Sequence, residues 1–122
     1  MNANEGLVKT YTASGTINEY RLVKFGTTDK TVLQASTGTD KLAGVVCLPK
    51  GTTAVTSDSV DVIKSGIADV IYGGTVTVGD YLTSNATGFA VVAVAGDNVI
   101  GTAELSGVSG DLGAVHIQKS SI

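Results

Sequence analysis

The sequence predicts a mainly β protein: a compact small β-barrel or sandwich with an internal duplication and little or no helix. Two observations predict the strands. β-branched residues recur in short runs with Gly, Asn, Asp or Ser between them, and apolar residues seldom fall at helical spacing. A third observation predicts the duplication. The four tyrosines form two pairs at one separation, Tyr11 with Tyr72 (72 − 11 = 61) and Tyr20 with Tyr81 (81 − 20 = 61). Asp40 to Leu48 reads against Asp97 to Leu105, and Val60 to Ile67 against Val115 to Ile122. Repeat halves of about 6–66 and 67–122 follow, with Tyr11 laid on Tyr72 and Gly44 on Gly101.

In chain order, strands are expected near Leu7 to Thr12, Tyr20 to Phe25, Thr31 to Ala35, Leu42 to Leu48 and Val60 to Lys64. The second half supplies Ile67 to Tyr72, Tyr81 to Ser84, Phe89 to Val94, Val99 to Leu105 and Ala114 to Lys119. Turn signals separate them, as in a sandwich or small barrel. Asp29-Lys30, Asn85-Ala86-Thr87-Gly88 and Gly96-Asp97 are such turns. Ser65-Gly66 reads as a tight hairpin whose glycine takes positive φ. Gly44 and Gly101 lie inside apolar strands, where a glycine marks a bulge, a bend or a close backbone approach, so two equivalent bends are expected. Residues 1–14 read as an N-terminal arm or edge strand, ahead of a single β domain over 15–122.

Composition excludes more than it assigns. The 122 residues hold one His, one Cys and no Trp, and the net charge of −3 with eight basic residues scattered singly argues against a nucleic-acid surface. A lone Cys47 cannot form an intrachain disulfide, which suits a reducing cytoplasm, and its apolar neighbours predict a buried structural thiol. The N-terminus lacks a signal peptide's charged start and apolar run, and no stretch approaches the roughly 20 apolar residues of a membrane span, so no membrane partner is expected.

Candidate chemistry falls away residue by residue. His116 alternates with Val115 and Ile117 where the first copy has Asp61, an outward polar position. One histidine makes neither a triad nor a zinc site. Asp58 and Asp61 lack the ladder of a calcium loop, and Gly73-Gly74 and Gly107-Val108-Ser109-Gly110 lack the lysine of a phosphate loop. No catalytic residue, cofactor or metal is expected, and the chain does not read as an enzyme.

Leu42-Ala43-Gly44-Val45-Val46, the run Val60 to Ile67, then Val78-Gly79-Asp80-Tyr81-Leu82 and Val99-Ile100-Gly101-Thr102-Ala103 occur in an order that resembles the small head decoration, or capsid cement, proteins of tailed bacteriophages. The likeness runs from about Gly15 onward. It implies a β-rich subunit, a trimer on the particle, that binds the outer surface of the head and staples neighbouring major capsid subunits. Partners would be the major capsid protein and the chain itself, with no nucleic acid and no membrane. The protein would be made in the host cytoplasm and end on the outer surface of the virion. The N-terminal stretch lies outside the match, and its residues Glu5, Leu7, Val8, Lys9 and Tyr11 are the candidates for partner contact; Gly44, Gly66 and Gly101 are the structural glycines. Another viral or surface structural β-module, such as a fibre, spike or surface-layer domain, shares the Thr/Gly/Val composition. A small ligand-binding or catalytic barrel is the remaining class.

Overall fold

Alternate burial along β1 (Val8–Ala13), with Tyr11 and Ala13 buried and Thr12 exposed, shows the period of two that a strand with one face in a core requires. The structure, a computed structural model, describes residues 7–49 and 51–121. It is all β, without helix among the described residues. The first half continues with β2 (Ile17–Asn18), β3 (Leu22–Phe25), β4 (Thr31–Gln34), β5 (Leu42–Cys47), β6 (Thr53–Ala54) and β7 (Ser59–Ile63). The second comprises β8 (Gly66–Ile71), β9 (Tyr81–Ser84), β10 (Ala90–Val92), β11 (Asn98–Ala103) and β12 (Leu112–Ser121). All ten expected strands are present. The two-residue strands β2 and β6 were not expected, being too short to show alternation.

The first half closes into a barrel in the order β1-β4-β3-β5-β7, with β7 returning to β1. All its pairings are antiparallel except β1 with β4. The second half runs β10-β9-β11-β12-β8, and a parallel bridge from Tyr72 to Ala90 brings the end of β8 beside β10. Both halves therefore have one cyclic order. A small clasp recurs too, Ile17 opposite Ala54 in one half and Val76 opposite Gly107 in the other.

Hydrogen bonds fix which residues correspond. Ala13 N–H donates to Asp58 C=O and Ser57 N–H returns to Ala13 C=O; Tyr72 and Asp111, then Gly110 and Tyr72, repeat both bonds. Tyr72 thus corresponds to Ala13, and Tyr11 to Val70, a register two residues out from the tyrosine pairing. Tyr20 corresponds to Gly79, both at positive φ. In the last strand the slip is again two, so His116 stands where the first half has Ile63, and Asp61 answers to Ala114. A shift of two leaves every side chain on its original face.

Gly44 and Gly101 do correspond. A Cβ on Gly44 would lie 2.3 Å from the carbonyl oxygen of Ile63, and one on Gly101 would strike that of His116, the equivalent residue. The close approach coincides with irregularity in each half, a shift between β3 and β5 beside Gly44 and one between β11 and β12 beside Gly101. Gly66 takes positive φ, 88°, yet Ser65-Gly66 is no hairpin. The strands it joins, β7 and β8, pair with different partners, so the turn carries the chain from one half to the other.

Two cores result. Tyr11, Ala13, Ile17, Val23, Val32 and Val62 fill the first barrel. The other core holds the inside of the second half, and Leu22, Leu42, Val45 and Ile63 join it from the outer wall of the first. This explains why Leu42 to Val46 are buried without alternation: β5 has a barrel interior on one side and the second half on the other. Backbone bonds cross the seam, from Leu22 N–H to Gly88 C=O, from Ile71 N–H to Tyr20 C=O and from Asn98 N–H to Gly38 C=O.

Candidate functional site

The expected partner-contact residues fall into three groups. Glu5 lies outside the described residues. Leu7, Val8 and Lys9 are exposed, Leu7 to 59%. Tyr11 is 6% exposed and belongs to the first core, which removes it as a free contact residue. Of the stretch read as an N-terminal arm or edge strand, residues 1–6 lie outside the described residues and the rest is not a free arm. Val8–Ala13 is a barrel strand that pairs with β7 along most of its length. Its other side is covered only at Thr12 and Ala13, where β4 joins, so residues 8–11 keep one side without a ladder neighbour.

That open side borders a groove of about 450 Å³ lined by Lys9, Tyr11, Phe25 and the turn from Gly26 to Thr31. A second groove, about 380 Å³, adjoins across Phe25 and includes Lys41, Asn98 and Lys119. Phe25 stands between them, 44% exposed, with its ring edge-on to Tyr11 at 6.3 Å. Lys64 Nζ lies 5.0 Å from the Phe25 centroid and 5.2 Å from that of Tyr11, and donates to Tyr11 Oη at 2.9 Å. Lys119 Nζ lies 5.5 Å from Phe25 and donates to Leu42 C=O; Lys9 Nζ is 5.2 Å from Tyr11. Burial, with the nearby Lys64 charge, pushes the Lys119 ammonium below its usual range.

Lysines that stand singly in the sequence are thus gathered by the fold. No local signal announces this, because Lys9, Phe25 and Lys64 come from β1, β3 and the end of β7 in the barrel, while Lys119 comes from β12 of the second sheet and reaches them only through the packing of the two halves. One expectation about a single residue needs correction, and two hold. Cys47 is exposed, since it ends β5 where the strand leaves the core, and is not a buried structural thiol. Asp58 accepts from Val55 N–H, a turn bond. His116 is exposed on β12. Among the described residues no group of three or more His, Cys, Asp or Glu is placed to hold a metal ion.

The class this geometry defines is a duplicated small β module, a closed barrel packed on a second five-stranded sheet of the same order, that carries a cationic, aromatic face. No protein-family model and no curated protein sequence matches the chain. Among solved structures it is similar to the N base of the head fiber gp8.5 of bacteriophage phi29. The two are 24% identical, the match covers 95% of this chain and 97% of that one, and the TM-score is 0.68. The likeness is one of fold, and it takes in both halves.

Proposed function

We propose that the chain is a structural protein of a tailed-phage head, seated on the outer surface of the capsid. The observation that carries this is the whole-chain fold likeness to the N base of a phage head fiber, a likeness that spans the duplication and the seam. The ordered sequence blocks that resemble capsid cement proteins point to the same location independently. Its partner is the major capsid protein, and it binds as a homotrimer, since closed symmetry lets weak contacts from each subunit add when the copies engage together.

Two modes share that location. A cement protein staples neighbouring capsid subunits. A base module instead occupies a lattice site and carries an outer fibre, and the likeness to the phi29 head fiber base is as consistent with this second mode as with the first. Mixing the purified protein with undecorated heads and imaging the particles tests the location: ordered three-fold density on the outer surface is expected, and bare heads at saturating protein overturn the reading. Thermal rupture of the same particles separates the modes. Cement raises the rupture temperature, whereas a fibre base leaves it where it was.

A further inference from the structure

Five of the chain's eight basic residues, Lys9, Lys30, Lys41, Lys64 and Lys119, border the two grooves beside Phe25 or lie over its ring. This occurs in a chain of net charge −3. Among the described residues the one ion pair is Lys24 with Asp40, which involves none of the five. Burial, and after it the nearby Lys64 charge, lowers the Lys119 ammonium.

The duplication supplies an internal comparison. In the second half the positions of Lys9, Lys30, Lys41 and Lys64 hold Ala68, Gly88, Asn98 and Ile117, and Ser84 replaces Phe25. There the equivalent face packs against the first half, through Gly88 C=O to Leu22 N–H and Asn98 N–H to Gly38 C=O. One scaffold face is therefore a polypeptide-binding face in one copy and a cationic face in the other. A solubilising cap on a repeat stack needs only a polar surface. It does not call for five lysines against one carboxylate, Asp29, around a half-exposed phenylalanine, beside an unpaired strand edge.

We infer that this face binds an extended acidic segment of a partner polypeptide, which adds as a strand to the open side of Val8 to Tyr11 while its carboxylates meet the lysines and an apolar side chain meets Phe25. Since Ala13 N–H bonds toward β7 and Thr12 N–H toward β4, the even-numbered residues Val8 and Thr10 point their backbone groups into the groove. Backbone pairing supplies affinity at such an edge, and the flanking side chains supply selectivity. The lysines complement carboxylates and steer their approach. The inference does not depend on the head assignment.

The probe is a peptide of roughly ten residues, mainly glutamate with one central leucine, titrated against the full chain by calorimetry at low and at moderate salt. Binding is expected, weaker at higher salt, with slowed amide exchange at Val8 and Thr10. Lys9→Glu with Lys41→Glu, both exposed and holding the barrel through backbone groups that the change leaves in place, should weaken it about ten-fold or more at an unchanged melting temperature. Val78→Glu with Val108→Glu, exposed turn positions of the second half, should leave it unchanged. The same peptide N-methylated at alternate residues should not bind. No binding to the wild-type chain, or equal binding to the lysine double variant, overturns the site. Equal binding of the N-methylated peptide overturns the strand pairing, and tighter binding of a single-stranded oligonucleotide or of inorganic phosphate overturns the polypeptide assignment. If a chain lacking residues 1–6 gains affinity sharply, the site belongs to Glu5 of the chain's own N-terminus and the partner assignment fails.

Discussion

Ser57 stands at φ 78°, where the corresponding turns place Gly79, Gly96 and Gly110 at 91°, 94° and 90°. A residue with a Cβ is strained there and glycine is not. Ser57→Gly should therefore stabilise the protein, by about 0.5–1 kcal/mol once glycine's larger unfolded entropy is subtracted. Denaturant melts read this directly, and a loss of stability contradicts it. Gly44 and Gly101 pose the opposite case, since even a methyl group there meets the backbone oxygen of Ile63 or His116. Backbone does not swing aside as a side chain does, so Gly44→Ala and Gly101→Ala should each cost on the order of 1–3 kcal/mol. Gly51→Ala, with open space around it, should lose only the φ term. Equal stability of all three variants refutes the close-approach explanation. The sequence comparison placed these two glycines correctly because a close approach tolerates no other residue. It misplaced the tyrosines because a slip of two residues keeps inside and outside unchanged. The hydrogen bonds of Ala13 and Tyr72, with the matching positive-φ positions Ser57 with Gly110 and Tyr20 with Gly79, fix the true register.

At the scale of elements, one turn is used five times. Asp58, Asp80, Asp97 and Asp111 each accept at 2.9 Å from the N–H three residues earlier and donate their own N–H to that residue's carbonyl; Asp40 does the same with Thr37. For Asp40 burial alone would raise the carboxyl. The N–H groups of Ser36 and Thr37 and the charge of Lys24, 3.6 Å away, outweigh it, so the folded value lies below the ordinary 3.8. Its contribution is then present above that value and lost as pH falls through the lower folded one. Asp40→Asn should be less stable at neutral pH and should lose less on acidification below about pH 4. Parallel pH–stability curves for the two proteins exclude this role. The strands show a different economy. Tyr72 fills the second core and donates to Leu105 C=O at 2.6 Å, and a Cβ on either Gly107 or Gly113 would meet its ring. At the same three places the first half has Ala13, Ala54 and Val60. Volume has moved between neighbouring strands while the total was kept. Tyr72→Ala should cost about 3–5 kcal/mol. Adding Gly107→Ala and Gly113→Val, which recreates the first-half combination, should recover part of that loss, and a further loss in the triple variant excludes the exchange.

On the scale of the whole molecule, the strands were legible from alternation and turn residues, while closure and the lysine face were not. Closure depends on the parallel contact of β1 with β4, which joins residues far apart in sequence and leaves no local pattern. The seam also hid itself. Ser65-Gly66 has the composition of a hairpin, and only the pairing of β7 and β8 with different strands shows that it joins the barrel to the second sheet. The seam decides how the protein unfolds. Leu22, Ala35, Leu42, Val45 and Ile63 are at most 6% exposed in the whole chain, yet they lie in the core shared with the second half and not in that of their own barrel. Separating the halves would bare these five side chains and leave the crossing N–H groups of Leu22, Ile71 and Asn98 without their carbonyl partners. With roughly 1.5–3 kcal/mol for each large apolar side chain exposed, that is comparable to the entire stability of a small domain. Neither half should therefore persist when the other is lost, and the chain should unfold in one transition although it contains two repeated halves, each with its own sheet. Tyr11 sits in the first core and Tyr72 in the second, so 3-fluorotyrosine labelling resolves the two by fluorine NMR while circular dichroism follows the strands. Coincident midpoints are expected. Two separated transitions, or a stable monomeric fragment ending at Ser65, would show that the seam is a contact between independent domains.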